Sequence, residues 1–436
     1  MKYISLFWKT CKVEGFRKAI LRSIAQLMGL KIIGFNEKEK KENKLLDKYK
    51  IPKECIQQPI FLHSSIKLAM FYEPIETQKL INTCFADILI RYVKTMNAFG
   101  MEVYQTRKSI LELALTISAN ENYYKHLAYV VSNQWEWEGP TNELLERCKS
   151  VLKGLENKDD SYEQVYMIYI SSLIEMNKTE VAKELLSEYV ELYGKRNIHL
   201  YYPVARLALE IGIENEKIKK AAYICEVILR NKNVLSNYLE EKRIAVVGSG
   251  PGEIGKGNGR EIDSHDVVIR FNDYETRGYE KDYGNKTTVW VRNIDVENGG
   301  CKARLDEIWK YDLIILEANI WRFKIPEIFL DTFYQYAKRE QEKLCMLQYR
   351  DEMIRGMGSF PTSGGLMFYN LAQITQGSFD KINLYGFYFI ENEVTSSKKL
   401  MHYNDKNYKE SNLHHNMNVE ARFLRKVKKY GIKKNI

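Results

Sequence analysis

Apolar positions along the chain fall into two textures that meet near residue 240. From about residue 60 to 238 they recur every third or fourth position, the period of a helix with one buried face. In TEVAKELLSEYVELYG (179–194), Val181, Leu185 and Tyr189 repeat at i+4 with Leu186 and Val190 beside them. Thr179 is a candidate cap for this helix and Gly194 a candidate stop. Met167, Ile170, Leu173 and Ile174 form a second stripe, Val204, Leu207, Ala208 and Ile211 a third, and Ile218, Ala222, Cys225 and Ile228 a fourth. Breaks at 176–178, Gly194 and 212–215 separate the stripes, and Ala182 and Ala222 hold similar places in successive pairs. The pattern predicts antiparallel helix pairs with short turns, stacked in the tetratricopeptide manner but without that repeat's consensus signature.

Beyond residue 242 the period changes. RIAVVG (243–248), DVVIRFN (266–272), TTVWVRN (287–293), YDLIILEAN (311–319), KLCMLQY (343–349) and KINLYGFYF (381–389) are short β-branched or apolar runs with helical or loop segments between several of them. Near-continuous apolar strands spaced this way predict a doubly wound, Rossmann-like α/β domain. The expected organisation is therefore an amphipathic segment and charged linker at 1–59, an all-α helical-repeat domain at 60–240, and an α/β domain at 241–436.

Composition narrows the class. The 436 residues are 45% hydrophobic and 28% charged, with 8 Pro and 25 Gly, which excludes a wholly disordered or collagenous chain. The net charge of +9 suits an anionic ligand, an anionic membrane or nucleic acid without choosing among them. The seven Cys (11, 55, 84, 148, 225, 301, 345) are scattered and contain no C-x-x-C, so neither a disulfide framework nor a zinc cluster is expected, and a reducing compartment is the default. No stretch reaches the ~18–20 apolar residues of a membrane span. Residues 1–35 mix Lys and Arg with Leu, Ile and Phe at helical spacing. They read first as an amphipathic helix packed on the protein, with a helix lying on an anionic membrane as the alternative. The tail RFLRKVKKYGIKKNI (422–436) carries seven Lys or Arg. It reads as a solvated helix face or an anionic-membrane contact rather than a nucleic-acid site.

Three places could carry chemistry. GSGPGEIGKGNG (248–259) directly follows the first strand, where bare backbone amides approach phosphate closely. Its spacing fits neither a dinucleotide fingerprint, since Glu253 stands where Gly or Ala is needed, nor a Walker loop. FPTSGG (360–365) precedes a helix-like run; Thr362 and Ser363 can cap it while Gly364 and Gly365 admit a close backbone approach. His402, His414 and His415 cluster near the C-terminal end, where imidazoles could transfer a proton or meet a phosphate. No H-E-x-x-H spacing favours a metal.

In order, these segments resemble the sialyltransferases of glycosyltransferase family 29. The large motif is similar to residues 244–293, within which EIDSHDVVIRFN and the 282–288 run DYGNKTT lie close to the family pattern. The small motif is similar to 360–389, headed by Pro361-Thr362-Ser363-Gly364. His402-Tyr403-Asn404-Asp405 resembles the third motif, and His415-Asn416 with Glu420 the very small motif. Nothing before residue 240 takes part. The resemblance implies a GT-A-like sialyltransferase fold and metal-independent, inverting transfer of sialic acid from CMP-sialic acid to a hydroxyl of a glycan or lipid-linked acceptor, with no cofactor. It implies His415 as general base, His402 at the leaving phosphate, and Ser249, Gly250, Gly252, Asn272, Thr362, Ser363 and Gly364 as donor-binding residues. Glu420, Tyr403 and Asp405 would be supporting residues.

Departures from the family refine that expectation. Ser249 and Gly252 stand where Asn is common, Asn404 where an aromatic is common, and the paired motif cysteines of animal Golgi members are absent. With no N-terminal span, these point to a bacterial-type, cytoplasmic enzyme, peripheral on the inner face of the membrane through its basic ends. The helical domain is left as a surface for a protein partner. A Kdo-like or other CMP-activated ulosonic acid donor, and an adaptor that has lost catalysis, remain as alternatives.

Overall fold

In this computed structural model, residues 86–387 are described apart from 88, 91, 95–103, 119, 156–158, 295–305, 318, 323 and 342, together with residues 417–430. Among them, contacts divide the chain into two units: residues up to 131 with 150–162, and 132–149 with 163 onward.

The first unit is helical. Helix α1 (Tyr104–Ile117) turns its Ile110, Leu113, Ala114 and Ile117 onto Ala86, Leu89, Tyr92 and Val93. Polar groups inside it are paired. The Arg107 guanidinium donates to the Val93 carbonyl at 3.3 Å. The His126 ring links Ser118 Oγ at 2.6 Å to Asp87 Oδ1 at 2.8 Å. Helices α2 (Asn120–Glu138) and α3 (Asn142–Gly154) are each divided between the two units, and α4 (Asp160–Glu175) belongs to the second from residue 163.

In the second unit, α5 (Thr179–Tyr193) departs from the expected stripe. Its buried residues are Ala182, Leu186 and Tyr189, while Val181 is 44% exposed. Lys178, not Thr179, is the N-cap, with no side-chain cap bond; Gly194 does end the helix, its N–H meeting the Val190 carbonyl at 2.8 Å. Tyr189, in the expected stripe, does face inward, and its hydroxyl donates to the buried Glu163 carboxylate at 2.5 Å.

Helices α6 (Tyr202–Glu210) and α7 (Glu216–Arg230) pair with each other through the predicted stripes. Asn215 caps α7 by accepting from the Ile218 N–H at 2.8 Å. Then α8 (Val234–Leu239) places Leu235 and Leu239 in the core of the sheet. The texture change near 240 is thus real in secondary structure, while the helices from residue 163 onward share a packing unit with the strands.

The sheet has six parallel strands: β1 (Ile244–Val247), β2 (Val267–Phe271), β3 (Val289–Arg292), β4 (Leu313–Leu316), β5 (Leu344–Met346) and β6 (Ile382–Tyr385). Each lies within one of the six runs predicted above. Their order is 5-4-3-2-1-6. Between β1 and β2 lies α9 (Gly259–Asp263), between β2 and β3 α10 (Glu280–Tyr283), and between β4 and β5 α11 (Leu330–Arg339). Helices α12 (Arg350–Met357) and α13 (Ser363–Ile374) carry the chain from β5 back across to β6.

One sheet face, with Val246, Ile269, Val291 and Ile315, packs on α8, α12, α13 and α14 (Met417–Tyr430). The other, with Ala245, Val247 and Val268, packs on Ile262 and Tyr283. Burial of each such Val or Ile contributes about 1.5–3 kcal/mol, so truncating Ile315 to Ala costs about 2–5 kcal/mol. The fully buried Arg270 sits on the second face with its guanidinium donating to the Tyr283 carbonyl at 2.6 Å and the Lys286 carbonyl at 3.1 Å. The basic C-terminal helix α14 buries Ala421, Phe423, Leu424 and Val427 and turns Arg422, Lys426, Lys428 and Lys429 to solvent, the solvated-face arrangement.

Strands β1 to β5 each lie beside their predecessor, whereas β6 returns to the far side of β1. The order reverses at the β1–β6 border, and ligands of open parallel sheets bind outside the carboxyl ends of the strands at such a border.

Candidate donor-binding site

The glycine-rich turn leaves β1 at this border and is fastened mostly by backbone groups. The Gly248 N–H donates to the Tyr385 carbonyl at 2.8 Å, and the Gly250 N–H to the Gly386 carbonyl at 3.1 Å. This close approach requires glycine: a Cβ on Gly386, whose φ is +72°, would lie 2.5 Å from the Gly248 carbonyl oxygen. Helix α10 buckles the turn from outside. Asp282 accepts from the Gly257 and Gly255 N–H groups at 2.8 and 2.9 Å, and the Tyr283 hydroxyl donates to the Gly250 carbonyl at 2.7 Å. Those two glycine amides hold the Asp282 carboxyl below its ordinary range. The buried Glu253 accepts from the Gly386 N–H at 3.2 Å and the Asn258 amide at 2.8 Å. The residue that breaks the dinucleotide fingerprint is therefore a strut of the turn.

Asn272 follows β2 in a left-handed conformation, with φ 47°. Its carbonyl accepts from the Trp290 indole N–H at 2.8 Å and its side-chain oxygen from the Asn293 N–H at 2.8 Å. Its side-chain NH2 then reaches Ser363 Oγ at 3.2 Å, joining the end of β2 to the tip of α13.

At that tip Thr362 is the N-cap, accepting from the Gly365 N–H at 2.9 Å. Both Thr362 donors go to Glu420 of α14: the N–H at 2.8 Å and the hydroxyl at 2.5 Å. Glu420 is 1% exposed. Burial pushes its pKa up to about 7, the Thr362 bonds oppose that rise, and the Glu317 carboxylate adds to it. Ser363 Oγ donates to Glu317 at 2.8 Å. The hydroxyls expected to face a donor are thus turned to two carboxylates of the protein. The amides of Ser363 and Gly364 are left as the open donors of the helix's first turn among the described residues. The Phe387 ring lies between the two cradles, 3.1 Å from where a Cβ on Gly248 would stand and 2.8 Å from one on Gly364.

Of the residues named from sequence, Ser249, Gly250, Gly252, Asn272, Thr362, Ser363 and Gly364 lie partly exposed around this one border, and Glu420 supports it from behind. His402, Tyr403, Asp405, His414 and His415 lie outside the described residues. Two groups escaped the sequence reading. Asn293 immediately follows β3, and its buried side-chain oxygen finds no hydrogen-bond partner among the described residues. Glu317 immediately follows β4. Both positions are polar residues ending an apolar strand, at the carboxyl edge where parallel sheets place their chemistry, and that signal could have found them.

Residues 194–314 match the profile of Glycosyltransferase family 29 (sialyltransferase), a span from the end of α5 into β4 that contains the glycine turn, Asn272 and Asn293. The chain is 39% identical over 105 residues to Beta-galactoside alpha-2,6-sialyltransferase 2 of Bos taurus, covering 22% of this chain and 21% of that protein. It is 51% identical over 55 residues to the protein of the same name from Danio rerio, covering 13% and 11%. A structure titled as a mammalian sialyltransferase in complex with Gal-beta-1-3GalNAc-ortho-nitrophenol aligns at 20% identity and a TM-score of 0.30, over 52% of this chain and 81% of that one. The chain thus spans about a fifth of the length of the curated relatives it matches, and over residues 194–314 it is similar to the sialyltransferases of glycosyltransferase family 29.

Proposed function

We propose that this protein is a sialyltransferase that moves sialic acid from CMP-sialic acid to a hydroxyl of a glycan acceptor, with inversion. The observation that carries the reading is the meeting of the glycine turn, Asn272 and the tip of α13 at a single switch point, in a chain whose 194–314 segment matches that family. Loss of CMP from a tertiary anomeric carbon builds cationic character on the sugar and negative charge on the phosphate. The open amides at the start of α13 supply fixed partial positive charge for the phosphate. Asn272 and the Asn293 oxygen, unpaired among the described residues, supply polar contacts of the kind a nucleoside needs. By motif position His402 would add a proton or a charge at the leaving phosphate. His415 would take the proton of the acceptor hydroxyl, each such group contributing about 10²–10⁴ in rate. The exposed basic face of α14 favours work near an anionic membrane.

The test is release of CMP from CMP-Neu5Ac and from CMP-Kdo by the full chain, with His415→Ala as comparison. Preferential release from CMP-Neu5Ac, lost in His415→Ala while CMP still binds, supports the reading. Release from CMP-Kdo alone moves the donor assignment to that sugar. No release from either overturns the reading.

A further inference from the structure

The carboxyl ends of β2, β3 and β4 are tied into one file. Backbone bonds set their register: the Asn272 N–H donates to the Val291 carbonyl and the Glu317 N–H to the Arg292 carbonyl, both at 2.9 Å. Side chains then run across these ends to the tip of α13. Ser363 Oγ lies 2.8 Å from the Glu317 carboxylate and 3.2 Å from the Asn272 side-chain nitrogen. The Asn272 side-chain oxygen lies 2.8 Å from the Asn293 backbone nitrogen.

The chemistry of the two ends fixes the direction of every bond between them. The Asn293 backbone N–H can only donate, so the Asn272 amide turns its oxygen to it and its NH2 to Ser363. A carboxylate can only accept, so the Ser363 hydroxyl gives its hydrogen to Glu317 and offers Asn272 a lone pair. Both assignments agree, and together they leave the Asn272 amide a single orientation. One of its two amide hydrogens goes to Ser363; the other has no partner among the described residues. A cation stands behind the carboxylate end of the file. Arg350 of α12, 8% exposed, is drawn to Glu317 as well as to Glu136 and Asp351.

We propose that Glu317 is a positioning residue for the nucleotide: by holding the Ser363 hydroxyl as its donor, it locks the Asn272 amide so that one N–H is presented to CMP. The proposal deepens the sialyltransferase reading and rests on it. With a neutral amide in place of the carboxylate, the side chain at 317 can itself donate to Ser363 Oγ. It then competes with Asn272 for the same lone pairs, and the Asn272 amide loses its single orientation. A donor fixed in advance binds its ligand without the cost of ordering it first.

The experiment is a calorimetric titration of CMP into the full chain as wild type, Glu317→Gln, Ser363→Ala and the Glu317→Gln/Ser363→Ala double variant, with thermal midpoints recorded for each. Glu317→Gln, nearly isosteric, is expected to weaken CMP about tenfold in the wild-type background and less than about twofold in the Ser363→Ala background, because its effect passes through that hydroxyl. A residue that merely supports the fold would weaken CMP equally in both backgrounds. Should Glu317→Gln fail to fold, Glu317→Ala carries the same comparison. Equal losses in the two backgrounds, or CMP affinity unchanged in the folded single variant, overturn the inference alone. A wild type that binds no CMP overturns the parent reading instead.

Discussion

The two cradles that face each other across the β1–β6 border are fastened by different means. The glycine turn is held by backbone groups of nearby strands and by Asp282, Tyr283 and Glu253 of its own stretch of chain. The tip of α13 is held by two carboxylates from far away: Glu317, 46 residues before Ser363, and Glu420, 58 residues after Thr362. Backbone fastening is rigid and tolerates no added atom. Side-chain fastening is tunable, because a carboxylate can take a proton. The first cradle's Asp282 is held below its ordinary range and stays charged near neutrality, whereas burial raises Glu420 of the second, so the second is the one that responds to pH there.

The largest expected effect breaks the rigid cradle. Gly386→Ala adds a methyl group against the Gly248 carbonyl at a left-handed position. It should cost on the order of 3 kcal/mol or more, read as a fall in thermal midpoint together with loss of CMP binding. A midpoint unchanged from wild type would mean that β6 and the turn are not pinned to each other.

Next comes the second cradle. Glu420→Ala strands the Thr362 N–H and hydroxyl and should cost about 2–3 kcal/mol by denaturant unfolding. Glu420→Gln, whose amide can reproduce the bonds of the protonated acid, should remain close to wild type at pH 5. Equal losses in both variants would rule out the hydrogen bonds as the source of stability.

The pH response separates the cradles more finely. Because burial raises the Glu420 pKa to about 7 from an ordinary value near 4.5, the folded chain binds this proton more tightly than the unfolded chain. Its contribution is fully present below the unfolded value and is lost as pH rises through about 7, by a few kcal/mol at most. Unfolding midpoints of wild type should fall relative to Glu420→Gln between roughly pH 5 and 8. Parallel curves would show that Glu420 stays ionised in the fold. The smallest effect is that of Ser363→Ala, which removes one bond to Glu317 and one from Asn272. It should lower stability by about 1 kcal/mol, measured in the same denaturant series; a loss as large as that of Glu420→Ala would contradict it.

The same contrast explains what could be read from the chain before its structure. All six strands and the glycine turn lie in contiguous apolar or glycine-rich runs, so local pattern reveals them. Thr362 as an N-cap is equally local. Glu420 was recognisable only by resemblance to a motif, and its grip on Thr362 depends on how α14 packs against α13. Glu317 is marked locally only as a polar residue ending an apolar run, and its bond to Ser363 depends on how α13 packs over the sheet. On α5 the inward face moves by one residue in the first two turns, to Ala182 and Leu186, while Tyr189 keeps its expected place.

The central claim is that the two cradles form one nucleotide site, and a calorimetric titration of CMP into the wild type, Asn272→Ala, Ser363→Ala and the double variant tests it most directly. The account predicts one CMP per chain, each single variant weakening it about tenfold, and a double variant weakened by clearly less than the two effects combined, because the residues share a bond across the cleft. No CMP binding to the wild type, or affinity unchanged in both single variants, would contradict it.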